Sequence, residues 1–211
     1  MKRILTSLLA TAAFVLFVAV SSARADIVTF NTTGTFSGGS NPGTSSTTFG
    51  GGGNTTTLTF AGSTGNTVNT PSNSNFGDII ATSTGTGAAV SGGFTLTFTV
   101  TSPIMGSDTA NGTLSGSLAN NQSSAFLFFN DPTAMVGGFT FTIVQPAVGI
   151  LLVPQTTGTG GNANPGTTTI QGTVTGGAPI PEPATMILLG TGLAGVAGAA
   201  RRRRNASKSE E

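Results

Sequence analysis

The sequence predicts an all-β fold: a single β-sandwich or jelly-roll-like domain, flanked by an N-terminal signal peptide and a C-terminal transmembrane helix. Three observations carry this expectation. Apolar residues alternate with threonine in short runs, the period of a strand with one buried face. Clusters of Gly, Ser, Asn and Pro punctuate those runs, as turns require. No stretch between residues 26 and 178 shows the 3.6-residue apolar period of a packed helix.

Two runs set the pattern. Residues 94–101 alternate Phe, Leu or Val with Thr without a fault, behind Gly92-Gly93 and ahead of Ser102-Pro103. Residues 139–144 follow Gly137-Gly138 in the same way and end at Gln145-Pro146. The shared pattern G-G-F-T-[LF]-T-[FI] occurs only twice, so it marks two equivalent strands and not a repeat array. Shorter strands are expected over 27–30, 33–36, 56–61, 79–83, 113–118, 125–129, 148–153 and 168–175. Residues 139–154 are apolar enough to raise a membrane span. Pro146 splits them and sixteen residues are too few, so two strands joined by a turn fit better.

The Gly/Ser/Thr/Asn-rich segments 37–54, 62–75 and 156–167 read as long loops. About ten short strands in roughly 150 residues suit one sandwich. The expected division is a domain over 26–155, then a last strand and flexible linker over 156–178. Phenylalanine supplies all the aromatic content, since Trp and Tyr are absent. Phe and Leu from facing strands are expected to form the core, with their Thr neighbours toward water.

The N-terminus reads as a targeting segment. Lys2 and Arg3 precede an unbroken run of apolar and small residues over 8–20, and Ala23-Arg24-Ala25 fits a signal-peptidase site. An uncleaved anchor is the competing reading; the short apolar run and the small residues Ala23 and Ala25 favour cleavage. Residues 1–25 are thus the expected signal peptide, and Asp26 the first residue of the mature chain.

The C-terminus has three parts in order. Pro181-Glu182-Pro183 comes first; residues 184–200 are apolar, and Arg201, Arg202, Arg203 and Arg204 follow. Seventeen residues make a helix of about 25 Å, marginal for a hydrocarbon core of about 30 Å. Gly190, Ala194 and Gly198 recur every four residues, a face on which another helix can pack closely. The arginines act as a stop-transfer signal and keep the tail 205–211 cytoplasmic. Two prolines hold the chain extended just before the helix, a readable form for a processing enzyme.

Composition excludes several functions. Between Arg24 and Arg201 there is no Lys or Arg, only Asp26, Asp78, Asp108, Asp131 and Glu182. Nucleic-acid binding needs cations against phosphate, so no nucleic-acid partner is expected. The chain has no Cys and no His, which removes disulfides, Cys–His and Ser–His–Asp catalysis, and the usual transition-metal ligands. No catalytic residue, metal site or cofactor is assigned.

The aspartates permit weaker alternatives. A glycosidase needs two facing carboxyls, for which Asp78, Asp108 and Asp131 are the candidates. Turn chemistry explains them better: Asp108 follows Gly106-Ser107, Asp131 precedes Pro132, and Asp78 opens a strand before Ile79-Ile80. A calcium-dependent adhesion module is possible because calcium needs only oxygen ligands, although no D-x-D-x-D-G loop is present. A carbohydrate-binding module lacks the usual Trp and Tyr platforms. The threonine ladder Thr95, Thr97, Thr99 and Thr101 raises ice binding, but a solenoid period is missing.

The C-terminal triplet, apolar segment and arginine cluster resemble the PEP-CTERM sorting signal over about residues 179–204. The tail 205–211 runs on past that pattern. The resemblance implies a Gram-negative bacterium with an exosortase, an inner-membrane cysteine transpeptidase-like enzyme. That enzyme would read Pro181, Glu182 and Pro183 and process the chain near them. It also implies a non-enzymatic exported protein of the cell surface or extracellular matrix, with a transient membrane anchor. Exosortase, the inner membrane, and exopolysaccharide or other biofilm matrix components are the partners implied.

Overall fold

The computed structural model describes residues 26–157, 163–176, 190–193 and 195–196. The chain divides into two compact units, one of Met1–Ala23 with Ala178–Glu211 and one of Arg24–Gly177. In the first unit, residues 190–193 and 195–196 are helical, inside the expected span 184–200. No helix among the described residues is long and apolar enough to cross a membrane. The expected signal-peptidase site at Ala23 and Ala25, the triplet Pro181, Glu182 and Pro183, and Arg201 to Arg204 lie outside the described residues.

The second unit is all-β. Its strands are β1 (Ile27–Phe36), β2 (Ser46–Gly51), β3 (Asn54–Ala61), β4 (Asn66–Asn69), β5 (Ser72–Thr84), β6 (Ala88–Ser102), β7 (Gly106–Ala119) and β8 (Gln122–Ser123). They continue as β9 (Phe126–Phe129), β10 (Thr133–Val136), β11 (Phe139–Ile143), β12 (Ile150–Leu151), β13 (Thr156–Thr157), β14 (Ala163–Asn164) and β15 (Gly166–Thr175). One large curled sheet runs β12-β9-β7-β6-β1-β4 with β8 beside β7, a second runs β10-β11-β15-β5-β3-β2, and β13 and β14 pair apart from both. All pairings are antiparallel. We call the two large ones the first and second sheets.

Alternation places one face of each strand in a common core. In β6 and β11, Phe94, Leu96, Phe98 and Val100, and Phe139, Phe141 and Ile143, are buried. Phe98 and Phe141 stack with ring centroids 4.8 Å apart. The two G-G-F-T strands therefore occupy different sheets and meet across the core. Phe30 and Phe76 join this pair, with Phe76 edge-on to Phe98 at 4.9 Å. A second group forms around Phe94, which contacts Phe36, Phe60 and Phe129. Phe60 and Phe94 come from opposite sheets, as a sandwich requires. Gly34 permits this approach: a Cβ there would sit 2.6 Å from both rings.

Several expectations change. The expected strands 27–30 and 33–36 are one strand, because Thr32 faces inward and its hydroxyl donates to the Phe76 carbonyl (2.7 Å). The expected loop 37–54 contains β2, and the expected loop 62–75 contains β4 and the start of β5. β15 lies between β11 and β5, in the middle of the second sheet. Threonine and serine pair across the outer faces instead of merely facing water: Thr48 with Thr57 at 2.8 Å, Ser46 with Thr59 at 2.9 Å, and Thr55 with Thr84 at 2.8 Å. Polar runs that look like loops thus carry ladder partners in register.

The ring stack across the core has a measurable consequence. Phe98→Ala and Phe141→Ala should each lower unfolding free energy by about 3–5 kcal/mol. A double-mutant cycle by urea denaturation should return a coupling of about 0.5–1.5 kcal/mol, whereas strict additivity would mean the rings act independently.

Candidate functional site

Each candidate carboxylate has a hydrogen-bond partner within the fold. Asp78 lies inside β5, not at its start, and accepts a hydrogen bond from the Thr169 hydroxyl of β15 at 2.6 Å. Asp108 lies inside β7, not in a turn. Its Oδ2 accepts the Met135 N–H of β10 at 2.7 Å, and its Oδ1 accepts the Thr109 N–H at 2.8 Å. Asp108 thus ties the first sheet to an edge strand of the second. Asp131 does sit in the turn ahead of β10, where its Oδ1 accepts the Thr133 hydroxyl (2.7 Å) and N–H (3.2 Å). These bonds, the hydroxyl first, hold the exposed Asp131 carboxyl below the ordinary aspartate range. Among the described residues no group of three or more acidic side chains is placed to hold a metal ion.

What the chain presents instead is neutral hydrogen-bonding surface. Across the first sheet, Thr33, Thr97 and Thr109 align on three neighbouring strands, as do Thr35, Thr95 and Asn111. Thr95 donates to the Asn111 side chain at 2.9 Å, so part of the array is satisfied internally. The second sheet carries a shallow depression of about 370 Å³ lined by Asn73, Ser74, Asn75, Val144, Gln171 and Gly172. It lies where β15 slips register against β5 between Thr169 and Gln171. The slip comes from an extra residue in β5: Phe76 and Gly77, both buried and with Gly77 at φ +125°, stand opposite Ile170 alone, and Gln171 is left exposed beside Asn75. Sequence reasoning missed these amides because residues 73 and 75 sit in a run that reads as loop.

Two further side chains act through the backbone. The Gln155 amide accepts the Ser83 N–H and donates to the Ser83 carbonyl, both at 3.1 Å. Gln145 does the same for Phe129, both bonds at 2.8 Å. Each amide substitutes for a missing neighbouring strand. A glutamine beside a proline in an apolar stretch, Gln145-Pro146 and Pro154-Gln155, is the signal that marks them.

Asn31, Asn54, Asn111 and Asn121, each in an Asn-x-Ser/Thr pattern, use their side chains in hydrogen bonds within the fold. The Asn31, Asn54 and Asn121 carbonyl oxygens accept the N–H groups of Gly65, Thr86 and Thr157.

Comparison with known proteins locates the one assigned feature. A protein-family model, the PEP-CTERM protein-sorting motif, matches residues 179–204. The chain therefore carries this sorting motif, which implies recognition by an exosortase and export to the surface through a C-terminal anchor. No match was found among curated proteins or solved structures.

The Asp131 geometry is testable. By NMR titration its carboxyl should ionise below the ordinary aspartate range, and Thr133→Val should raise that pKa. Because the folded value is depressed, the associated stability is present above the unfolded pKa and is lost as pH falls through the folded one. An unmoved pKa in Thr133→Val would contradict the assignment.

Proposed function

We propose that this chain is a non-enzymatic protein exported through the inner membrane of a Gram-negative bacterium and sorted by an exosortase-type pathway. The sorting-motif match over residues 179–204 carries the reading. In it, residues 1–25 direct export and are removed after Ala25. Residues 184–200 then hold the precursor in the membrane, with Arg201 to Arg204 on the cytoplasmic side. Exosortase reads Pro181, Glu182 and Pro183 and frees the β domain to the cell surface or extracellular matrix.

Charge supports a temporary role for the anchor. Beyond the signal peptide, every Lys and Arg lies at or after position 201. Removing that tail leaves an acidic domain with neutral hydroxyl and amide faces. Such faces suit a hydrated polysaccharide matrix, where hydrogen bonding replaces ionic attraction. The depression of Asn73, Asn75 and Gln171 offers amides for sugar hydroxyls and favours exopolysaccharide as the matrix partner.

The triplet is the point of attack. Glu182→Ala should leave the protein in the membrane at precursor size in an exosortase-positive host, with release reduced at least tenfold. Unchanged release of the mature form would refute the sorting assignment.

A further inference from the structure

The two ends of the β domain leave from one place. The Asp26 carbonyl accepts the Thr70 N–H at 2.9 Å and the Thr70 hydroxyl at 3.0 Å. Gly176 lies against the same threonine: a Cβ on it would sit 2.6 Å from Thr70 Oγ1 and 3.6 Å from the Asp26 carboxylate. Pairing explains the meeting. Ile27 pairs with Asn69 at the end of β4, while Ser72 at the start of β5 pairs with Val174 near the end of β15.

The same end carries the β6–β7 loop and the β10–β11 turn. Thr29 of β1 pairs with Ser102, and Thr140, one residue past Phe139, pairs with Thr175. Loop and turn touch, since a Cβ on Gly137 would lie 3.0 Å from the Ile104 Cβ. Four large apolar side chains face solvent here: Ile27 at 59%, Ile104 at 46%, Met105 at 79% and Met135 at 67% exposure. Water does not favour such a collection at one end of a domain, and exposed apolar groups of this kind mark a contact surface.

Chain length says what covers it. The five steps from Gly176 to Pro181 span at most about 18 Å when fully extended. Pro181 stands three residues before the apolar segment 184–200, and Asp26 directly follows the other apolar targeting segment. Both covalent connections to membrane-directed segments therefore start at this end. Charge narrows the contact further. With no Lys or Arg from residue 26 to 200, nothing attracts anionic headgroups, and Asp26 and Asp108 oppose them. Attraction must come from apolar side chains entering the interfacial zone.

We propose that the end of the domain bearing Ile27, Ile104, Met105 and Met135 docks on the lipid bilayer while the chain is still a precursor. This rests on the sorting reading above. The contact is small and carries no cation, so it holds only while a covalent tether supplies high local concentration. Once the chain is cut near Pro181, Glu182 and Pro183, the tether is lost and the domain leaves. The same contact keeps the triplet close to the membrane plane, where an inner-membrane enzyme works.

The absence of native cysteine makes the test direct. Full-length chain carrying Met105→Cys, or Gly51→Cys at the opposite end, is labelled with an environment-sensitive dye. It is then reconstituted into phosphatidylcholine vesicles containing a lipid-borne quencher. The position-105 probe should be quenched at least threefold more than the position-51 probe, and Ile27→Ser with Ile104→Ser should remove most of that difference. Equal quenching overturns the proposal. So does quenching at 105 that appears only when exosortase is added, which would identify a protein contact. Vesicle flotation and conversion to a shorter product by exosortase are read in parallel. If the chain floats but is never shortened, the sorting reading fails, while the lipid contact is still judged by the probes. If it does not float, the lipid proposal fails.

Discussion

The fold depends on one constraint: the β domain must cohere by burying phenylalanine between two sheets. Lys and Arg are absent from residue 25 to 200, so no side-chain ion pair can form within the domain, and no cysteine is present to cross-link it. Ten phenylalanines are buried, and five of the eight close ring pairs join one sheet to the other. Each buried large apolar side chain contributes about 1.5–3 kcal/mol, so this layer is the main term that offsets chain entropy. Period-2 alternation then dictates the rest. If Phe94, Leu96 and Phe98 face in, Thr95, Thr97 and Thr99 must face out.

A core of this kind tolerates no stray polar group, and the polar residues within it are used as fasteners. Thr32 of β1 bonds the Phe76 carbonyl of β5, and Thr56 of β3 bonds the Leu118 carbonyl of β7, at 2.7 and 2.9 Å. These hydroxyls cross from sheet to sheet near opposite ends of the domain. Gln145 and Gln155 complete the backbone bonding of Phe129 and Ser83 where the ladders end. Among the described residues, no buried side-chain nitrogen or oxygen lacks a partner. Neutral amides and hydroxyls thus do the work that ion pairs do elsewhere.

Much of this was legible in the sequence, and the omissions have physical reasons. The all-β class and the strands around 94–101 and 139–143 follow from faultless alternation. β2 and β4 escaped notice because Ser, Thr, Asn and Gly dominate them, and β4 in addition pairs with the distant β1. Asp108 reads as a turn residue because Gly106-Ser107 precedes it, yet these residues begin a fourteen-residue strand. The polar depression was illegible because it arises where Phe76 and Gly77 of β5 together face Ile170 of β15, a mismatch that shows only once the two strands are paired. The sorting motif over residues 179–204 was legible, since it lies in the order of its parts and not in tertiary contacts.

Fold and address are therefore separable in this chain. The described domain closes on itself at Asp26 and Gly176, and the sorting motif over residues 179–204 lies beyond that closure in the sequence. Intact-mass measurement of the protein recovered from the medium of an exosortase-positive host tests this account most directly. The account predicts one folded species beginning at Asp26 and ending near Glu182. A species retaining Arg201 to Arg204, or one found only in the inner membrane, would contradict it.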